Sequence, residues 1–210
     1  MAFKKGLAAT GGRAKFAGAV TYEVTERSLA THALKLKEFG ADTLIIYPTP
    51  AHGAIITKEI AKIGYQPKVL TTFTLGDPIM YKIAGPTWEG TYIGLPGNSG
   101  QPGSDPAADR VADIIKKYNP KIAGREYLAL FGAVSMMHLV EGLKNAGPNL
   151  TPETMVKGME MISEWKPEGL GARVTYTPDR RHGNNATRMG IAKGGKVVAL
   201  EPFTLFQPLF

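Results

Sequence analysis

Two kinds of apolar pattern alternate along this chain: short continuous runs, and longer stretches with apolar residues three and four apart. The short runs are Thr43–Pro48, Lys68–Phe73 and Thr91–Pro96. Each leads through a loop rich in Gly, Pro or Thr into an amphipathic stretch, respectively Ala51–Gly64, Asp77–Gly85 and Pro106–Asn119. Continuous runs of this length read as strands buried on both faces, and the spaced stretches as helices laid across them. The alternation predicts an α/β fold on a parallel sheet, with ligands held beyond the carboxyl ends of the strands. The loops Tyr47–His52, Thr71–Asp77 and Pro96–Asp105 are therefore the places to look for chemistry.

The same reading places the remaining elements. Ala2–Ala9 is predicted as a helix stopped by Gly11–Gly12, and Lys15–Tyr22 alternates like a strand. A helix follows Arg27, with Leu29, Ala33, Leu36 and Phe39 on one face and Gly40 closing it. Ile55, Ile56, Ile60 and Ile63 form the core stripe of the next helix. Asp77-Pro78 reads as an N-cap with proline in the first helical position, where a missing N–H costs nothing. Beyond the linker-like Gly97–Gly103 the pattern turns helical throughout. One helix starts on Asp105-Pro106 and carries Val111, Ile114, Ile115 and Tyr118 inward. A longer one covers Tyr127–Asn145, and Thr151-Pro152 caps a third that runs to about Ser163. Strands return at Ala172–Thr177 and in a hairpin, Ala186–Ala192 with Lys196–Leu200, turning on Gly194–Gly195.

The long helix makes a physical demand. Leu128, Leu130, Phe131, Val134, Met136, Met137, Leu139 and Val140 surround its axis, and a helix apolar all round must be covered all round. Each such side chain is stabilised by about 1.5–3 kcal/mol on burial. No strand next to it in sequence offers a sheet. The stretch Tyr127–Val140 calls for a further partner surface, such as a second copy.

Composition narrows the function classes. The 210 residues are 43% hydrophobic and 20% charged, as in an ordinary globular protein. The net charge of +7 is spread over pairs such as Lys4–Lys5, Lys116–Lys117 and Arg180–Arg181. Nothing forms the basic stripe with interleaved aromatics that a nucleic-acid binder presents, so no nucleic-acid partner is expected. The absence of cysteine excludes disulfides and thiol catalysis. No signal peptide is visible, and Tyr127–Val140 falls short of the about 20 residues that span a bilayer.

Catalysis finds no support either. Gly97-Asn-Ser-Gly100 has Gln101 where a nucleophile elbow requires glycine. Lys193-Gly-Gly-Lys196 is followed by Val197, where a phosphate loop requires Ser or Thr. The histidines at 32, 52, 138 and 182 lack metal-ligand spacing, and His138, within the apolar helix, reads as a hydrogen-bonded core residue. No catalytic residue, metal or cofactor is expected. Binding has better candidates. Thr49 is a natural N-cap at a helix start that offers N–H groups to a polar or anionic solute, and Tyr47 and His52 beside it are further candidate contacts to that solute. Phe73 can floor an apolar part of that solute, with Thr72 and Thr74 donating hydrogen bonds.

Several local sequences carry a resemblance. They are Glu38-Phe-Gly-Ala-Asp42 before a buried strand, Thr49-Pro-Ala at a helix start, and Ile63-Gly-Tyr-Gln-Pro67 before the next strand. Glu89-Gly90 before Thr91-Tyr-Ile, the Leu-Lys-Asn-Ala-Gly147 helix end, Thr175-Tyr-Thr-Pro-Asp179 with Arg181-His182-Gly183, and Gly195-Lys-Val-Val extend it. In this order, from Phe3 to Phe203, the chain resembles the type I periplasmic binding proteins, and within them the Leu/Ile/Val-binding group that serves ABC importers.

The resemblance implies two lobes joined by three crossings, with solute in the cleft between them. Residues 1–97 and 172–202 would form the second, C-terminal lobe on its parallel sheet. Residues 105–163 would be an appended all-helical segment from the first, N-terminal lobe, whose missing sheet would cover Tyr127–Val140, making the chain a C-terminal fragment. It further implies a non-catalytic substrate-binding component with an ABC permease as partner, periplasmic or lipid-anchored outside the cell when intact. Its solute would be an amino acid, an amide or an aromatic carboxylate. One departure matters: amino-acid-binding members place an acidic residue in the second loop to pair the ammonium group, and Thr71–Leu75 has none. That favours uncharged or aromatic carboxylate solutes. Two other readings stay open, a small cytoplasmic hydrolase-type enzyme on a doubly wound sheet and a small-molecule sensor domain.

Overall fold

The computed structural model describes residues 2–98, 103 and 105–206. Much of the expected linker, residues 99–102 and 104, therefore lies outside the described residues, and with it most of the elbow-like stretch. In chain order the elements are α1 (Ala2–Ala8), α2 (Ala30–Glu38), β1 (Thr43–Ile46), α3 (Pro50–Lys62), β2 (Lys68–Thr72), α4 (Ile79–Ala84) and β3 (Tyr92–Leu95). They continue with α5 (Pro106–Tyr118), α6 (Glu126–Ala146), α7 (Pro152–Glu160), β4 (Ala186–Lys193), β5 (Lys196–Ala199) and β6 (Thr204–Leu205). Two compact units divide the chain, one made of residues up to Ile93 with Ile191–Gly195, the other of Gly94–Gly190 with Lys196–Phe206.

In the first unit β1 and β2 pair in parallel, Thr43 opposite Lys68 and Ile46 opposite Thr71. The strand order runs β1-β2-β3-β4. Ala192 on β4 exchanges hydrogen bonds with the approach to β3, accepting from Gly90 N–H and donating to Thr91 O, each at 2.8 Å. Helices cover this sheet through Ala33, Ile56, Ile60, Met80 and Ala84, with Trp88 and Ile93 fully buried among them. The expected inward residues of α2 and α3 are deepest at Leu29, Ala33, Ile56 and Ile60. Asp77 caps α4 as its position suggests, its Oδ1 accepting from Ile79 N–H at 2.7 Å.

Two expectations fail in this unit. β1 is not buried on both faces: Leu44 and Ile46 are, but Ile45 and Tyr47 are 38% and 72% exposed. It ends the strand order, and its side chains alternate between exposed and buried. Lys15–Tyr22 forms no strand. Alternating side chains give a strand its sidedness, but its backbone groups still need a neighbouring strand to pair with. Here Thr21 O instead meets His32 Nε2 at 3.1 Å.

The second unit holds β4 with β5 beside it and β6 antiparallel to β4, Ala186 opposite Leu205. Between β4 and β5 the chain turns on Gly194 and Gly195, both at positive φ (58° and 81°), as a two-residue hairpin turn requires. The strand expected over Ala172–Thr177 reduces to two isolated bridges, Trp165 with Val174 and Thr177 with Arg180. The second bridge closes a tight turn at once, and Pro178 has no N–H with which to extend a ladder.

Asp105 caps α5, its Oδ1 accepting from Ala107 N–H at 2.8 Å. The inward face of α5 differs from the expected one. Ala108, Val111 and Ala112 are buried and Ile115 packs on the same cluster, whereas Ile114 and Tyr118 are 51% and 79% exposed. The buried face is centred between Val111, Ala108 and Ala112, and Ile114 lies about 100° round the helix from that centre, so it points away from the cluster. The alanine-lined face faces α6 because small residues let two helices approach, and Leu130 and Leu170 fill the space between them.

Helices α6 and α7 pack closely at a glycine. A Cβ on Gly158 would collide with Gly142 O and lie 2.8 Å from Ala146 N. Thr151 and Thr154 form a reciprocal cap on α7, Thr154 N–H to Thr151 Oγ1 at 3.2 Å and Thr151 N–H to Thr154 Oγ1 at 2.8 Å. The far side of α6 is uncovered. Met136, Leu139, Val140 and Leu143 remain exposed in one stripe, so the all-round cover that its sequence demands is absent. The side chain of Leu128 lies outside the described residues. Among the described residues no helix is long and apolar enough to cross a membrane.

Candidate functional site

The parallel register sets the site. With Ile46 opposite Thr71, the chain leaves β1 and β2 side by side, and Tyr47 and Thr72 occupy neighbouring strand ends. The buried Thr71 hydroxyl ties the two together by donating to Ile46 O at 3.0 Å. Gly53, in the first turn of α3, completes the approach: a Cβ there would lie 3.0 Å from Leu75 Cδ1 and 3.3 Å from Pro48 Cγ. Glycine lets the second loop pack onto the start of α3. Two of the three loops read from the sequence as candidates, Tyr47–His52 and Thr71–Asp77, thus meet at the carboxyl end of the parallel pair, where open sheets of this kind bind ligands, while half of the third, Pro96–Asp105, lies outside the described residues.

Thr49 caps α3 with an extended backbone, and Pro50 takes the first helical position. Its Oγ1 lies 2.7 Å from His52 Nδ1 and accepts from His52 N–H at 3.5 Å. His52 Nε2 is 3.0 Å from Glu26 O. A carbonyl only accepts, so Nε2 carries the proton and Nδ1 of the neutral ring accepts from the Thr49 hydroxyl. The Thr49 proton is therefore committed within the protein, and a solute meets only its remaining lone pair. Of the amides in the first turn, Pro50 has none, His52 donates to Thr49 Oγ1, and Gly53 donates to Thr49 O at 2.8 Å. Ala51, an exposed residue of that first turn, stands at the positive end of the helix dipole.

His52, a candidate solute contact by its place in the sequence, is instead turned into the protein. It is 6% exposed, both ring nitrogens are engaged, and its ring lies 4.8 Å from that of Tyr22. Tyr22 Oη in turn accepts from Thr49 N–H at 3.2 Å. The sequence reading missed Tyr22 and Glu26. Tyr22 ends a stretch that alternates like a strand, and nothing local announces a contact to a loop some 27 residues on. Together these residues brace the first loop, and His52 acts as its anchor.

The other candidates are more open. Tyr47 is 72% exposed, Phe73 is 37% exposed at the head of a short 3-10 turn, and Leu75 is fully buried beneath it. Thr72 Oγ1 and Thr74 Oγ1 lie 2.8 Å apart and share one proton, so the pair offers one donor outward. No carboxylate stands between Thr71 and Gly76. Among the described residues no cluster of His, Cys, Asp and Glu can hold a metal ion. Thr49→Ala is expected to lower stability by about 1 kcal/mol, with Thr49→Ser nearly neutral, in urea unfolding followed by circular dichroism. Equal losses for both would remove the cap from this account.

Comparison with known proteins adds to this geometry. A profile described as periplasmic binding protein matches residues 1–196. No curated protein matches the chain. Among solved structures, a branched-chain amino acid ABC transporter protein from Thermus thermophilus with bound valine is 19% identical, with a TM-score of 0.72 over 85% of this chain and 50% of that one. A periplasmic binding protein type 1 from Bordetella pertussis Tohama I is also 19% identical, with a TM-score of 0.72 over 96% and 56%. A fatty acid ABC transporter substrate-binding protein from Thermomonospora curvata is 21% identical, with a TM-score of 0.70 over 89% and 49%. At these identities the likeness is one of fold. The chain spans about half the length of the structures it matches.

Proposed function

Because this chain belongs to the periplasmic binding protein family, we propose that it supplies one wall of a solute-binding cleft and serves an ABC importer as part of its substrate-binding component. The family is one of binding proteins of type I fold, not of enzymes. The wall consists of Tyr47, Thr49, Thr72, Phe73 and Thr74, with His52 holding Thr49 from behind. Residues 1–97 with 172–202 form one lobe and residues 105–163 belong to the other. The separate clustering of the first 93 residues and of the helices supports this, although of residues 172–202 only Ile191–Gly195 cluster with the first unit and the rest cluster with the helices. In a two-lobed receptor outside the inner membrane, bound solute favours the closed over the open arrangement by no more than its difference in affinity for the two.

The carboxylate-free second loop carries the solute class, and two further features agree with it. The exposed first turn of α3 at Ala51 and the helix dipole favour an anion, the Phe73 ring offers an apolar floor, and Thr71–Gly76 lacks a carboxylate to pair an ammonium. An aromatic carboxylate or amide fits this wall better than an α-amino acid.

The test is titration of the chain with benzoate, benzamide and leucine, followed by amide NMR. Benzoate and benzamide are expected to shift the amides of Ala51, Thr72 and Thr74 weakly, with dissociation constants of about a millimolar, since a single wall buries little of a ligand. Phe73→Ala should weaken both at least about fivefold. Leucine binding tighter than either, or shifts confined to other residues, would overturn the reading.

A further inference from the structure

The second unit contains a partly open cavity of about 180 Å³. One wall is a face of α6 formed by Leu130, Val134 and His138, each four residues from the last, and Leu170 and Val174 stand across from it. It shares no residue with the Tyr47–Thr74 wall. We propose that this cavity is a binding site for a compact, uncharged and largely apolar molecule, a single aromatic ring or a branched alkyl group.

Size gives the first argument. An engineered cavity of about 150 Å³ lined by Leu, Ile and Phe takes up benzene, so 180 Å³ accommodates one ring with a small substituent. It is too small for the larger molecules that fill ordinary ligand pockets of about 300–1,000 Å³.

The lining gives the second. Among the described residues no charged side chain borders the cavity, so a carboxylate or ammonium would lose its hydration without a partner. Apart from His138, the polar side chains on the wall are already used within the protein. Asn98 donates to Asp105 Oδ2 at 2.5 Å and accepts from Gly171 N–H. Asn184 donates to Pro96 O at 2.8 Å and accepts from Ala186 N–H at 2.8 Å, and Ser135 donates to Phe131 O at 2.9 Å.

His138 completes the case. Its Nδ1 lies 3.0 Å from Tyr176 Oη, and its ring stands edge-on to those of Trp165 and Tyr176, at 5.5 and 6.1 Å. Its Nε2 has no hydrogen-bond partner, yet surrounding atoms cover it. Burial pushes the His138 pKa down and the Tyr176 pKa up, so both stay neutral near pH 7 and put no charge beside the site. Water in this space finds few partners, and each wall atom without a neighbour forfeits dispersion contacts that an apolar ligand restores.

Methyl NMR of the whole chain, titrated with toluene and separately with benzoate, tests the proposal. Toluene is expected to saturate with a dissociation constant of about a millimolar or below and to show nuclear Overhauser contacts to the methyls of Leu130, Val134 and Val174. Benzoate should shift these methyls at least about tenfold more weakly. Val134→Phe and Ala172→Leu, which fill the space from opposite sides, should each abolish the toluene shifts. The wild-type titration decides the matter even if a variant fails to fold. The proposal is overturned if the three methyls ignore toluene, if benzoate binds equally well, or if both well-folded filling variants leave toluene binding intact. Failure here leaves the Tyr47–Thr74 wall untouched, because that wall is read from different amides.

Discussion

Gly158→Ala lowers the unfolding free energy by about 3 kcal/mol, where the same change in an open helix would raise it by about 1. The difference lies in what the new methyl meets. At Gly158 it collides with Gly142 O and comes within 2.8 Å of Ala146 N and 3.1 Å of Ala146 Cβ. These are mostly backbone atoms of α6, which yield only if the helices separate. Separation also strains the hydrogen bond from Asn145 Nδ2 to Gly158 O, now 3.1 Å, worth about 1 kcal/mol. Gly132, also on α6, is the control, because a Cβ there would have nothing within 4 Å and Gly132→Ala should stabilise. Urea unfolding followed by circular dichroism compares the two. If Gly158→Ala proves as stable as Gly132→Ala, α6 and α7 do not pack as described.

Trp88→Ala is expected to cost about 3–5 kcal/mol, enough to unfold much of a unit of ordinary stability, about 5–15 kcal/mol. Trp88 is fully buried and is the largest such side chain of the first unit. Its Nε1 is buried without a partner, so part of its packing gain is already offset by an unpaired donor. Trp88→Phe keeps most of the apolar volume and removes that donor, and should cost less than about 2 kcal/mol. Trp165 remains as the fluorescent reporter in both variants. Equal losses from alanine and phenylalanine would mean that volume at this position matters little.

The sequence revealed those parts of the fold whose signals are local. Caps at Asp77, Asp105 and Thr151 announced helix starts because each satisfies amides within a few residues of itself. Gly194-Gly195 announced its turn because both positions need positive φ. The loops at the strand ends were legible for the same reason, since topology alone sends them to one edge of the sheet. What stayed hidden depends on distant partners. Lys15–Tyr22 alternates like a strand but pairs with none, Ala172–Thr177 keeps only two bridges, and Ile114 and Tyr118 gave way to smaller inward residues. His52 belongs with them: its anchoring role follows from Glu26 and Tyr22, which no spacing connects to it.

The hydrogen bonds between Ala192 and the approach to β3 have a consequence for biosynthesis. The first unit closes its sheet with Ile191–Gly195, which the ribosome makes roughly a hundred residues after Ile93. At about 5–20 residues per second, the nascent first ninety residues wait on the order of ten seconds for that strand, with Gly90 and Thr91 still lacking their partner. During that interval an unpaired edge protrudes from the emerging polypeptide. A chaperone that shields such edges should therefore raise the yield of this protein more during synthesis than during refolding of the finished chain.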